Sequence, residues 1–156
     1  MNITKLSILG YWDLVKFEAI ADDGDIFLPF GQNVRGLLHY ADNEIMSAQL
    51  GSTMRANFKN EDFRFGEDDE IREAFNGFIS YFGKYSINEN RNYIIHEIDL
   101  SLFPNWMNNR VKRFYEFDNG HLLLKAPQLE YFGIKRTPIL TWKKIEDLKS
   151  SYRWHS

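Results

Sequence analysis

Short runs rich in Tyr, Phe, Ile, Val and Leu recur from Trp12 to Trp142, each ended by turn-forming residues, with one helical signal among them. Aromatic and β-branched side chains suit a pleated, half-buried surface, and regular spacing of such runs marks an antiparallel sheet. Eight or nine strands are counted. A sheet of that size removes its exposed edges by closing on itself. At about eight strands the tube is just wide enough to be filled by side chains or to hold one small ligand. The fold class expected is therefore all-β, an up-and-down antiparallel barrel; a two-sheet sandwich satisfies the same periodicity.

Turn chemistry divides the chain. Asp23-Gly24 ends a run from Tyr11 to Ile20, and Asp42-Asn43-Glu44 separates Val34 to Ala41 from Ile45 to Leu50. Asn119-Gly120, between Arg110 to Phe117 and His121 to Ala126, is the strongest hairpin signal. Ile26 to Phe30 extends the sheet only if Pro29 sits at an edge or an end. Residues 51 to 67 read as a long loop. Acidic residues Glu67 to Glu70 followed by Ile71, Ala74, Phe75 and Phe78 predict one short helix over 69–76, since carboxylates favour the positive end of a helix dipole. Strands follow from Phe78 to Ile87 and from Tyr93 to Ser101. A last strand from Pro138 to Lys144 precedes a charged tail with a turn of helix around 145–149.

A chain of 156 residues without linkers or repeats fits a single domain over 1–156. With no cysteine, a disulfide framework, a thiolate metal site and a thiol nucleophile are all excluded. The net charge of −3 with scattered Lys and Arg gives no basic stripe for nucleic acid. The N-terminus carries no secretory pattern and no run reaches the ~20 apolar residues of a membrane helix, so no membrane partner and a cytoplasmic location are expected. Phosphate loops, dinucleotide fingerprints, zincin helices and Gly-x-Ser-x-Gly elbows are missing, so neither cofactor nor metal is expected.

The segment Leu9-Gly10-Tyr11-Trp12-Asp13-Leu14-Val15 resembles the Gly-x-Trp opening of lipocalins, where the tryptophan closes one end of the barrel. More specifically, the chain is similar to the bacterial and fungal lipocalin-like domain family. The resemblance is carried in order by Phe30-Gly31, Arg35 to Tyr40, Met46 to Leu50, Phe75 to Tyr85, Ser101 to Trp106 and Arg113 to Glu116. It implies a barrel that binds or transforms a small, largely apolar molecule. It also implies an arginine late in the chain across the closing tryptophan. Here Trp142 is followed by Lys143 and Lys144, with Arg136 earlier, which leaves that partner open.

Strand alternation sorts the polar side chains. Ile94, His96, Ile98 and Leu100 form the more apolar face of their strand, so His96 points inward. Val111, Arg113, Tyr115 and Phe117 share an inward face, as do Ile79, Tyr81, Gly83, Tyr85 and Ile87, and also Gly36, Leu38 and Tyr40. Between Ile45 and Leu50 either Met46 and Ala48 or Ser47 and Gln49 line the interior. The expected ligand-binding set is Tyr40, Tyr81, Tyr85, His96, Arg113, Tyr115 and Trp106. An inward arginine needs a partner or a polar ligand. Hydroxyls and carbonyls could satisfy it, or a bulge could turn it to solvent. If neither applies, a ligand with a carboxylate, phenolate or carbonyl is implied. Trp106 either plugs a barrel end or packs beneath its loop.

Three functions are compatible with this pattern. The first is a module binding a small hydrophobic or amphipathic molecule that carries a carboxylate, phenol or carbonyl. The second is a cofactor-independent isomerase- or cyclase-type enzyme using His96, Arg113 and Tyr81 as its catalytic candidates. The third is an interaction scaffold, with Phe78, Phe82 or Phe114 at the seam of a homodimer.

Overall fold

The computed structural model describes residues 5–146. In chain order the elements are α1 (Lys5–Ile8), β1 (Gly10–Ala21), β2 (Ile26–Phe27), β3 (Val34–Tyr40), β4 (Ile45–Ser52), α2 (Asp68–Asn76), β5 (Phe78–Asn88), β6 (Tyr93–Ser101), β7 (Arg110–Asp118), β8 (His121–Lys125), β9 (Leu129–Tyr131) and β10 (Ile134–Lys144). Eight strands form a closed antiparallel ring, β1-β3-β4-β5-β6-β7-β8-β10, with β10 returning to pair with β1 from Trp12↔Lys144 to Ala21↔Arg136. That ladder makes the sheet a tube and rules out the sandwich.

One end is sealed. The indole of Trp12 is 1% exposed and donates to the Ile8 carbonyl at 2.8 Å, which ties α1 across the opening. The late basic residue facing Trp12 is Lys144, its strand partner, with Nζ 5.4 Å from the ring centroid. Arg136 lies at the opposite end of β10, where it pairs with Asp25 and donates to the Tyr131 carbonyl. Lysine thus supplies the cation that the family resemblance expected from arginine.

The open end is edged by two short strands outside the ring. β2 adds to the far end of β1 and β9 to the near end of β10, and Phe27 meets Tyr131 and Phe132 there. β9 and the first residues of β10 lie in a stretch where sequence patterning predicted no strand before Pro138. Proline is accommodated because it stands where β8 runs out: the Ala126 N–H donates to the Pro138 carbonyl, and no return bond is required. Past Phe27, residues 28–30 are not strand. The predicted helix is α2, one residue longer at its start, where Glu67 and Glu70 form a reciprocal capping box. The helical turn expected around 145–149 lies, beyond Glu146, outside the described residues.

Two bulges adjust which residues face inward. In β1 the register shifts between Leu14 and Lys16, so Trp12 and Leu14 point inward and then Phe17, Ala19 and Ala21. In β6 it shifts opposite Phe82 and Gly83: Gly83 pairs with Ile98 but Phe82 with Leu100, leaving Asp99 as the extra residue. The shift moves Leu100 from the expected inner face to the outside, where it is 55% exposed. Among the described residues, no helix is long and apolar enough to cross a membrane.

Candidate functional site

Inward alternation along β3, β5 and β6, with Trp106 from the turn after β6, builds a column of aromatic rings inside the tube. Tyr85 packs edge-on against Tyr40 at 4.9 Å between centroids, and Tyr40 against His96 at 5.7 Å. His96 then meets Tyr81 at 5.8 Å, and Tyr81 meets Trp106 at 5.9 Å. The column climbs from the sealed end towards the open one. Its upper part borders a cavity of about 130 Å³ between the barrel walls and the β9 edge.

Of the seven expected ligand-binding residues, Tyr81, Trp106 and Arg113 line this cavity. Tyr40, Tyr85 and His96 lie beneath it. Tyr85 donates to the Ala41 carbonyl at 2.6 Å, which assigns it to the floor. Tyr115 is buried on the inner face of β7 but does not border the cavity, and its hydroxyl has no partner among the described residues. Met46 and Ala48 turn out to be the inward pair of β4, at 0% and 2% exposure. Trp106 stands in the wall, wedged between Tyr81 and Phe103.

Most of the remaining wall is apolar, including Phe17, Leu38, Leu50, Leu124 and Leu140. Tyr131 was missed because its strand was missed. The available signal was Phe132-Gly133, whose φ values of 51° and 79° form the two-residue turn between Tyr131 and Ile134. Trp142 also reaches the cavity, and its indole N–H is buried without an acceptor among the described residues.

Arg113 is the charged member of this wall. β7 pairs with β6 and β8 without a register shift, so no bulge turns Arg113 to solvent. The expected alternative of satisfaction by a carbonyl holds in part: the guanidinium donates to the Lys112 carbonyl at 3.0 Å, while among the described residues it makes no ion pair. Its charge reaches into the column. Burial raises the Tyr81 phenol, and Arg113 partly offsets this through charge and hydrogen bonding.

His96 is fully buried and bridged on both ring nitrogens. The Tyr40 hydroxyl lies 2.7 Å from Nε2 and the Tyr81 hydroxyl 3.1 Å from Nδ1. Burial first, and then the Arg113 charge, push its imidazolium well below the ordinary histidine range, so the ring is neutral at pH 7. Between the folded value and ~6.5 the unfolded chain therefore binds a proton that the folded chain refuses. Stability falls with falling pH there, with a slope approaching about 1.4 kcal/mol per pH unit from this group. Urea melts between pH 7 and pH 5 are expected to show that loss. His96→Gln should flatten the slope whatever its effect on stability at pH 7. Equal slopes in both proteins would mean that His96 titrates normally.

The lipocalin-like domain model matches residues 9–145, from just before the Gly-x-Trp opening to the end of the last barrel strand. The chain belongs to the lipocalin-like domain family. It is also similar to the 4'-hydroxy-3'-methoxypropiophenone carrier protein of Aspergillus oryzae, at 28% identity over 111 residues, covering 66% of this chain and 99% of that protein. Arg113 and Tyr81 both border the cavity inside its barrel.

Proposed function

We propose that this lipocalin-like protein binds a small, largely apolar molecule, of about one aromatic ring, that carries a carbonyl, phenol or carboxylate oxygen. The observation behind this reading is a cation without an ion-pair partner among the described residues, set in the wall of an otherwise mostly apolar cavity. Apolar walls supply affinity through burial, and a few polar groups orient the guest. Size points the same way: an engineered apolar cavity of roughly 150 Å³ holds benzene, and this one measures about 130 Å³. The Aspergillus oryzae relative is named for a single-ring phenolic ketone. Such a compound has a flat apolar body and acceptor oxygens at both ends.

Binding is favoured over catalysis by the position of His96. It lies behind Tyr81 and does not border the cavity, so a guest would meet the phenol rather than the imidazole. An isomerase- or cyclase-type reaction with His96 as its base needs the imidazole at the substrate. Trp106 and Trp142 both border the cavity, so intrinsic fluorescence should report occupancy. Titration with propiophenones and alkylphenols is expected to change the tryptophan emission saturably, with one guest per chain by native mass spectrometry. No response to any single-ring lipophile would overturn the proposal.

A further inference from the structure

We infer that the buried chain Tyr40–His96–Tyr81 runs in one direction, so that Tyr81 turns its O–H into the cavity and, with Arg113, forms a two-donor cradle for an acceptor oxygen of the guest. The inference rests on the binding role proposed above and adds polarity to it: an aryl carbonyl or carboxylate oxygen sits deep, and a donor group does not.

Hydrogen-bond accounting sets the direction. Tyr40 is 0% exposed, and its hydroxyl has one partner among the described residues, His96 Nε2 at 2.7 Å. If Nε2 carried the imidazole proton, the Tyr40 hydrogen would be buried without an acceptor, which proteins strongly avoid. Tyr40 therefore donates and Nε2 accepts. A neutral imidazole has one proton, so it resides on Nδ1 and is donated to the Tyr81 oxygen at 3.1 Å. Arg113 also acts on that oxygen. With its oxygen receiving the imidazole N–H, Tyr81 has its own hydrogen left, and no acceptor for it among the described residues.

The cavity wall agrees with this polarity. It contains no Asp, Glu, Asn, Gln, Ser or Thr side chain, so none of the usual side-chain acceptors is present. Its polar side chains include two donors, the Arg113 guanidinium and the Tyr81 hydroxyl as oriented here. Tyr40 and His96 are positioning residues in this scheme, because each acts only through Tyr81.

The test uses ¹⁵N-histidine-labelled full-length protein at pH 7 and two probes, propiophenone and propylbenzene, which share ring and chain length and differ by the oxygen. The His96 resonances are identified by their loss in His96→Gln. Protonated Nδ1 and unprotonated Nε2 are expected in the free protein and with propiophenone bound. Tyr40→Phe removes the donor to Nε2, and the Nε2–H form should then grow, a readout that lost packing alone would not give. Propiophenone should bind about tenfold more tightly than propylbenzene, and Tyr81→Phe should shrink that ratio. Nε2–H in the unmodified protein, or equal affinity for the two probes, would overturn the directional cradle and leave the binding role standing. If neither probe binds, the cradle for an aryl carbonyl fails, and silence from every other single-ring lipophile as well would overturn the binding role itself.

Discussion

Arg113→Met is expected to weaken binding of propiophenone-type guests by roughly ten- to a hundredfold. A hydrogen bond to a charged group contributes about 1.5–3 kcal/mol, and each 1.4 kcal/mol is a factor of about ten in affinity. Methionine retains an unbranched apolar stem of similar reach, so the wall stays closed and the change isolates the guanidinium. Stability should move differently. Among the described residues no carboxylate pairs with Arg113, so its removal strands no buried anion. Calorimetric titration and thermal melts on one preparation at pH 7 should therefore show lower affinity with a nearly unchanged midpoint. A guest without oxygen should lose little. A parallel fall in affinity and melting temperature would mean that Arg113 is a structural residue and the site has been misread.

Gly83→Ala should be among the most damaging single-methyl changes in the barrel. A β-carbon at this position would lie 1.9 Å from the Glu97 carbonyl oxygen and 2.9 Å from its carbon. Both are backbone atoms of the bulged neighbour, so no side chain can swing aside. Overpacking usually costs 1–3 kcal/mol, and a clash with backbone belongs at or above the top of that range. For a chain of this size about 3 kcal/mol lowers the melting midpoint by roughly 10 °C. The loss should reach the site, because β5 carries Tyr81 two residues away and β6 carries His96. Thermal melting of the variant within a degree or two of the parent would show that β6 does not need its bulge.

Much of the architecture was readable from residue types. Asn119-Gly120 specified its hairpin because both residues adopt positive φ, at 47° and 79°, at little cost. The alternation in β6 and β7 placed His96 and Arg113 inward because a half-buried strand has only two faces. Acidic residues at its start and apolar spacing along it located α2. Leu100 was misassigned for a definite reason. A bulge adds one residue and reverses the alternation beyond it, and nothing in Ile98-Asp99-Leu100 announces one. The exclusion of Gly83 from any side chain is visible only once Glu97 is seen pressed against it.

The site shows the same division. Residue order and side-chain chemistry established that tyrosines, a histidine and an arginine share the interior, because local backbone geometry decides the face of each strand. Those same rules could not say that Tyr81 and Arg113 meet at a cavity while Tyr40, Tyr85 and His96 form its floor. Depth along the tube depends on how eight strands stagger as they close, and that is fixed by the β1–β10 ladder between segments more than a hundred residues apart. The cation over Trp12 was decided likewise: Lys144 lies opposite it in that ladder, whereas Arg136 is carried to the far end. Face is a local property of the chain; depth and partnership belong to the closed barrel.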